Sequence, residues 1–309
     1  MPVLFHLFWS MAVIKKRNIG LLIKLSIASV ACWFIVVKLR LKNDETDLLK
    51  AVGQLTSFPD LYYFIILLVM MSANWFMEAL KWKLLIGKIE TLSAKKSMKA
   101  ILSGVTIALF TPNRVGEYGG RVFHLFKADR LEAVLLTLVG SYAQLLITII
   151  AGLISALWFV PMKFGLGPFN EIGAIGVGVV IIAFCAFLIL MFLNTSVLTS
   201  VLKRLPIPDR HRHYTEVFSQ HPPKTLLWVL LLSAGRYMVF TTQFIILLHI
   251  FDVHIDYFQA LMLISLTYIT MTVVPTIAIT ELGVRGSLAM YFLGSVSSNG
   301  MGIFTASSI

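Results

Sequence analysis

Long apolar runs separated by short polar stretches organise this chain. They extend from about Ile19 to Val37, Leu61 to Ile86, Leu131 to Val160, Ala174 to Leu193 and Leu226 to Ile250. Each approaches or exceeds the roughly 20 apolar residues that carry a helix across a bilayer. Two shorter runs interrupt the series. Ala100 to Phe110 stops at Thr111-Pro112-Asn113-Arg114, and Ala260 to Val274 is broken at Pro275, after which Ile277 to Leu293 is again apolar. Proline lacks the backbone donor that a helix interior needs, so both runs read as helices broken within the membrane. The pattern predicts an all-α, polytopic helical membrane protein with two broken or re-entrant helices, built as one transmembrane domain over residues 1–309.

Polar residues within the apolar pattern carry a repeat. Glu-x-Gly-x-Arg occurs at Glu117-Tyr118-Gly119-Gly120-Arg121 and again at Glu281-Leu282-Gly283-Val284-Arg285, each after a broken stretch. The step from Glu117 to Glu281 defines an offset between the copies. Shifting Leu61–Ile86 by that offset lands on the long run that ends at Ile250, and the first broken stretch lands on the second. Two halves follow, about residues 19–160 and about 173–309. If each half crosses three times, the second is inverted relative to the first, a recurrent plan in transporters. The same shift carries Leu131–Val160 past Ile309, so the repeat predicts that the sequence is a fragment lacking most of a last span.

Charge orients these spans. The 26 Lys and Arg against 15 Asp and Glu leave a formal net charge of +11. The basic residues cluster in short loops: Lys15, Lys16 and Arg17 before the first run, Lys88 to Lys99 after the second, and Lys203 to Lys224 before the run at Leu226. Phe251 to Tyr257 has Asp252 and Asp256 but no base. Under the positive-inside rule this predicts a protein of the plasma (inner) membrane with a cytoplasmic N-terminus. The charge therefore points to anionic phospholipid headgroups as partners and away from nucleic acid. Met1 to Val13 precedes the basic residues, the reverse of a signal peptide, and Met11 is an alternative start.

Candidate chemistry is confined to the intramembrane charges, which are costly and usually functional. Arg114, Glu117, Arg121, Glu281 and Arg285 surround the breaks. Within each motif Glu and Arg lie one helical turn apart, so each pair is close to neutral. Thr111 is placed to cap the first helix and Thr280 a turn at the second, with each proline suited to a helix start. Exposed helix N-termini and arginines together suit a phosphate. Glu78 shares a face of its span with Asn74 and Lys81, and Arg236 lies deep in the run from Leu226. The bland alternatives are structural ion pairs at the bends, with Arg114 and Arg121 snorkelling, and an interfacial Glu78–Lys81 pair. Recurrence of the motif favours a functional site. Gln144 and Tyr142 read as helix–helix hydrogen bonds, and Trp75, Trp82 and Trp158 as interface anchors. Cys32 and Cys185 form no disulfide framework, and His211, His213 and His221 lack ligand partners at useful spacing. No metal site, cofactor or catalytic motif is expected.

Thr111-Pro112-Asn113-Arg114-Val115-Gly116-Glu117 resembles the P-x-R-x-G-E signature of the lysylphosphatidylglycerol synthase/flippase transmembrane family. Val274-Pro275 to Gly286 is similar to its second signature, as are Asn74 to Trp82 and Arg236-Tyr237. The resemblance covers about Ile19 to Ser298. It implies a flippase-like membrane domain that binds or translocates a phospholipid, aminoacylated or not, or a polyprenyl-phosphate lipid. The family's best-known members add a soluble aminoacyl-transferase domain that this sequence does not contain, so synthase activity is not implied. Ala278-Ile279-Thr280 also departs from the Gly-Gly-x-Gly form usual before the second Glu. The alternatives are a membrane enzyme or subunit acting on such a lipid, and a scaffold for a partner lipid-modifying enzyme. A homo-oligomer is compatible with either.

Overall fold

The computed structural model describes residues 61–108, 111, 115–126, 128–164, 171–194, 221–274 and 278–308. Among them are the helices α1 (Leu61–Ile86), α2 (Ala94–Ala108), α3 (Gly116–Val122), α4 (Arg130–Phe164), α5 (Glu171–Leu193), α6 (Pro223–Ile250), α7 (Tyr257–Val273), α8 (Ala278–Leu293) and α9 (Gly300–Ser308). No strand occurs among the described residues. The expected first span at Ile19–Val37 lies outside them. Among the described residues four helices, α1, α4, α5 and α6, are long and apolar enough to cross a bilayer. At 1.5 Å per residue, the 15 residues of α2 reach only about 22 Å, short of the roughly 30 Å hydrocarbon core.

The frame is the antiparallel pair α1 and α6. His221 Nε2 bonds the Leu85 carbonyl at 2.8 Å, Arg236 Nε donates to Asn74 Oδ1 at 2.7 Å, and Gln243 Nε2 donates to the Leu67 carbonyl at 3.2 Å. The Tyr63 and His249 rings meet at 6.2 Å. Residue numbers thus rise along one helix as they fall along the other. Ala73 and Tyr237, which the repeat offset relates, fall opposite each other in this register. The equivalent helices of the two halves therefore run in opposite directions through the molecule, as inversion requires.

Each half then inserts a hairpin from its own end. The first enters at α2, whose start is capped by Ser93 Oγ accepting from the Lys96 N–H at 3.3 Å. It returns through α3, and the Phe126 and Ala128 N–H groups close on Glu90 Oε2 at 3.0 and 3.1 Å. Entry and exit therefore share the end that carries Lys88, Lys95 and Lys96. The second enters at α7, where Asp256 Oδ2 caps the Phe258 and Gln259 N–H groups. It returns through α8 to the opposite end, where Asn299 Nδ2 donates to the Phe251 carbonyl at 2.9 Å. Satisfied caps matter here because an unpaired backbone group has no water to turn to at membrane depth.

Glycines let these short elements approach. A Cβ on Gly120 would lie 2.7 Å from Gly104 Cα, so α2 and α3 touch backbone to backbone. Gly152 of α4 accepts Ile269 of α7 in the same way, with the Ile269 side chain pressed into the space a Cβ would fill. Small residues at crossings are the main packing device where apolar side chains meet lipid as readily as each other. One apolar core gathers Leu85, Ile101, Leu136 and Leu146 around the first hairpin, and another gathers Leu263, Ile264, Met290 and Ile303 around the second.

Two sequence readings change. Trp82 is no interface anchor: it is 1% exposed and donates to Thr137 Oγ1 at 3.1 Å inside the core. Its indole faces α4 because α1 is covered on that side, a neighbour that no hydropathy profile reveals. Tyr142 makes no hydrogen bond among the described residues and instead packs its ring on Phe192 of α5 at 5.9 Å. Gln144 does bridge helices, donating to the Ser233 carbonyl of α6 at 3.3 Å.

Candidate functional site

Glu78 stands on α1 two turns from its basic end, about 12 Å inside the helix by its rise. Its carboxylate is shared by three cations from three elements. Oε1 meets Arg121 of α3 at 2.8 Å, and Oε2 meets both Lys81 at 2.7 Å and Arg236 of α6. Arg236 is steered by Asn74, one turn before Glu78, so Asn74, Glu78 and Lys81 do form one working face of α1. Arg121 bonds a second carboxylate, Glu117, one turn back on its own helix.

Burial makes this cluster energetically consequential. The side chains of Lys81, Arg121 and Glu78 are 1%, 3% and 6% exposed, while Arg236 and Glu117 reach 20% and 24%. Even one charge at a helix centre costs roughly 2.5–3.5 kcal/mol on insertion scales. The five charges offset one another, leaving one positive charge in excess. The expected Glu78–Lys81 pair does form, but inside the protein and with two further cations on Glu78: Lys81 is buried, its stem against Gly140 of α4.

The local sequence explains how Arg121 arrives there. Thr111 spans the break, donating to the Ile107 and Ala108 carbonyls and accepting from the Gly116 N–H at 2.8 Å. Thr111 thus satisfies the first helical N–H from five residues back, while the N-cap position itself is Val115, whose side chain makes no capping bond. The helix starts at Gly116, however, so Pro112 precedes it by a full turn and does not occupy its first turn. Gly104 and Gly120 then admit Arg121, whose Cγ would lie 2.9 Å from a Cβ at 104. Pro112 and Arg114 lie outside the described residues, as does the side chain of Thr280.

The second motif is built differently. Glu281 and Arg285 share one turn of α8, yet neither has an ion-pair partner among the described residues, and Arg285 Nε is buried without an acceptor. The near-neutral pair expected at this copy does not form. Nor does α6 bring an acid at the equivalent position: the repeat offset carries Glu78 onto Thr242, whose hydroxyl meets the Tyr257 hydroxyl at 3.3 Å. Tyr268, within electrostatic reach of Arg285, occupies the position equivalent to Gly104.

Several contributors escaped sequence reasoning. Glu90, which closes the first hairpin, looks like a stray acid in a basic loop. Ser103 Oγ and His124 Nε2, 2.8 Å apart, tie α2 to the segment after α3. Tyr237 donates to Ser265 Oγ at 2.7 Å, joining α6 to α7 beside Arg236. No group of three metal-ligating side chains occurs among the described residues. An apolar cavity of about 220 Å³ between Tyr63, His249 and Ile255 opens at the other end of α1 and holds no Asp, Glu, Lys or Arg.

The family model described as the lysylphosphatidylglycerol synthase TM region matches residues 21–307. No curated protein and no solved structure matches the chain.

Proposed function

The chain belongs to the lysylphosphatidylglycerol synthase TM-region family, membrane proteins associated with lipid modification or flipping, and from that premise we propose that it receives the phosphate-bearing headgroup of a membrane lipid between its two repeats and passes it between leaflets. The observation that carries this reading is the buried excess of guanidinium groups. Arg121 and Arg236 converge on Glu78 from opposite halves, and Arg285 has no internal counter-ion among the described residues. Guanidinium forks suit phosphate oxygens, and a dry, preformed set of donors binds an anion more strongly than the same donors in water.

In this reading Arg114, Arg121, Arg236 and Arg285 hold the phosphate. Glu117 and Glu281 balance them or pair with a cationic part of the headgroup, and Glu78 organises the cluster. The acyl chains stay in the bilayer, so only the polar end needs a path. The hairpins support that path, because one is rooted at each end of the molecule and each has its Glu-x-Gly-x-Arg motif in the returning helix. We assign the end with Lys88, Lys95 and Lys96 to the cytoplasm, and Asp252 and Asp256 to the far side.

Reconstitution tests the proposal. Vesicles containing the full chain and a headgroup-labelled anionic phospholipid should show transfer of the label between leaflets faster than empty vesicles. Arg121→Ala and Glu281→Ala should slow it at least tenfold. Wild-type rates in both variants would remove these residues from the site, and no transfer by the wild type over several lipid classes would remove the function.

A further inference from the structure

We propose that Glu78 is an internal stand-in for the substrate's phosphate, a carboxylate that occupies the guanidinium donors until a headgroup displaces it. The inference rests on the reading that these arginines receive a phosphate. It goes further by giving Glu78 a role opposed to binding.

The first support is stoichiometric. One carboxylate with two oxygens serves three cations, and Glu117 serves only Arg121 among the described residues. Glu78 is therefore over-subscribed, and Arg121 Nε remains buried with no acceptor among the described residues. A phosphodiester brings more acceptor sites than a carboxylate and matches the same fork geometry. Arg121 and Arg236 can turn to it while Lys81 keeps Glu78 neutralised, so no charge is stranded during the exchange.

The second support is the internal comparison that the repeat provides. Arg121 and Arg285 occupy equivalent positions in equivalent motifs. The first faces Glu78. The second has Thr242 at the position equivalent to Glu78, and no anion reaches it among the described residues. The same arginine is thus held once with a built-in anion and once, among the described residues, without one. A structural requirement of the motif would demand the acid in both halves; a stand-in is needed only where guanidinium groups from both halves would otherwise face one another.

The consequence is kinetic as well as thermodynamic. A carrier must bind well enough to load and weakly enough to release, and a competing internal anion lowers the affinity without altering the donors. Glu78 would also hold the first hairpin against α1 and α6 while no headgroup is present, keeping the route shut.

The test uses the full chain in detergent with three probes: dihexanoyl phosphatidylglycerol below its micelle concentration, inorganic phosphate, and an uncharged short-chain diacylglycerol. The variants are Glu78→Gln and the charge-balanced Glu78→Gln/Lys81→Met, which removes one acid and one base and so guards against simple misfolding. Both are expected to bind the phosphodiester about tenfold more tightly than the wild type, with a larger ligand-induced rise in melting temperature, and to turn over more slowly in vesicles. Tightening for the phosphodiester lipid alone supports displacement by a lipid headgroup. Equal tightening for inorganic phosphate supports the stand-in role with a free anion as the occupant. If the wild type binds the phosphodiester and the double variant binds it no better, Glu78 only positions its neighbours and the proposal is overturned, while the functional reading survives. If the wild type binds neither anion better than the uncharged control, both fall together.

Discussion

Arg121 and Arg285 are one position of a repeat in two electrostatic settings, and this difference organises what single substitutions should do. Arg121→Ala takes from Glu117 its ion-pair partner and leaves Glu78 held by Lys81 and Arg236 alone. Breaking a fully buried pair from one side costs roughly 3–5 kcal/mol; Glu117 is 24% exposed, so a smaller but clear drop in melting temperature in detergent should accompany lost transport. Arg285→Ala removes a group with no internal partner among the described residues. Its melting temperature should stay close to wild type, a change of about 1 kcal/mol or less, while headgroup transfer is lost. Equal destabilisation by the two would show that the second motif is held by contacts as strong as the first. Trp82 offers a second check on the core. Thr137→Val strands the indole N–H, and the orphaned donor should lower stability by roughly 1–3 kcal/mol in thermal unfolding followed by tryptophan emission. The spacing of Asn74, Glu78 and Lys81 already marked one polar face of a helix. It could not reveal that Glu78 is the hub, because Arg236 reaches it across a separation of 158 residues, and side-chain convergence at that range is decided by packing.

The two re-entrant hairpins were legible as short apolar runs ended by proline; α7 and α8 keep close to the expected bounds, while α2 starts at Ala94, before the apolar run that marked it. What escaped the apolar pattern was how tightly each hairpin is folded, because that depends on which glycines face a neighbour. Gly119 and Gly120 are adjacent on α3 and show the distinction. A Cβ at Gly120 would strike Gly104 Cα at 2.7 Å and the Ser103 carbonyl at 2.9 Å, both backbone atoms that cannot swing aside, whereas a Cβ at Gly119 meets nothing within 4 Å. Gly120→Ala should therefore force α2 and α3 apart, displace the neighbouring Arg121, and lower both melting temperature and transport. Gly119→Ala should be neutral or stabilising, by up to about 1 kcal/mol, because alanine favours the helix. Similar behaviour of the two would mean that the hairpin is looser than the structure describes. The halves also differ at this scale: α3 ends at Val122, while its counterpart α8 continues to Leu293. The Glu90 anchor accounts for part of this, since it draws the Phe126 and Ala128 N–H groups away from helical pairing.

For the molecule as a whole, the antiparallel register of α1 and α6 is the feature on which the inverted plan stands, and cross-linking tests it directly. In a background with Cys32 and Cys185 replaced by serine, cysteines at 77 and 235 should form a disulfide under mild oxidation, because the Met77 sulfur lies 3.1 Å from where a Cβ on Gly235 would stand. Cysteines at 70 and 235, two turns out of register, should not. The reverse result would invalidate the pairing and with it the symmetry relating the motifs. The sequence by itself determined the helical membrane class, the places where helices break, the family, and the repeat of the Glu-x-Gly-x-Arg motif, because hydropathy, proline and motif spacing are properties of the chain read locally or against itself. Only the tertiary structure decided that Lys81 and Trp82 lie in the interior, and that one motif is closed by Glu78 while the other meets no acid among the described residues. Those outcomes depend on which helix faces which, and in a medium as apolar as the side chains themselves, that choice is made by glycine contacts and a few buried charges rather than by the hydrophobic pattern.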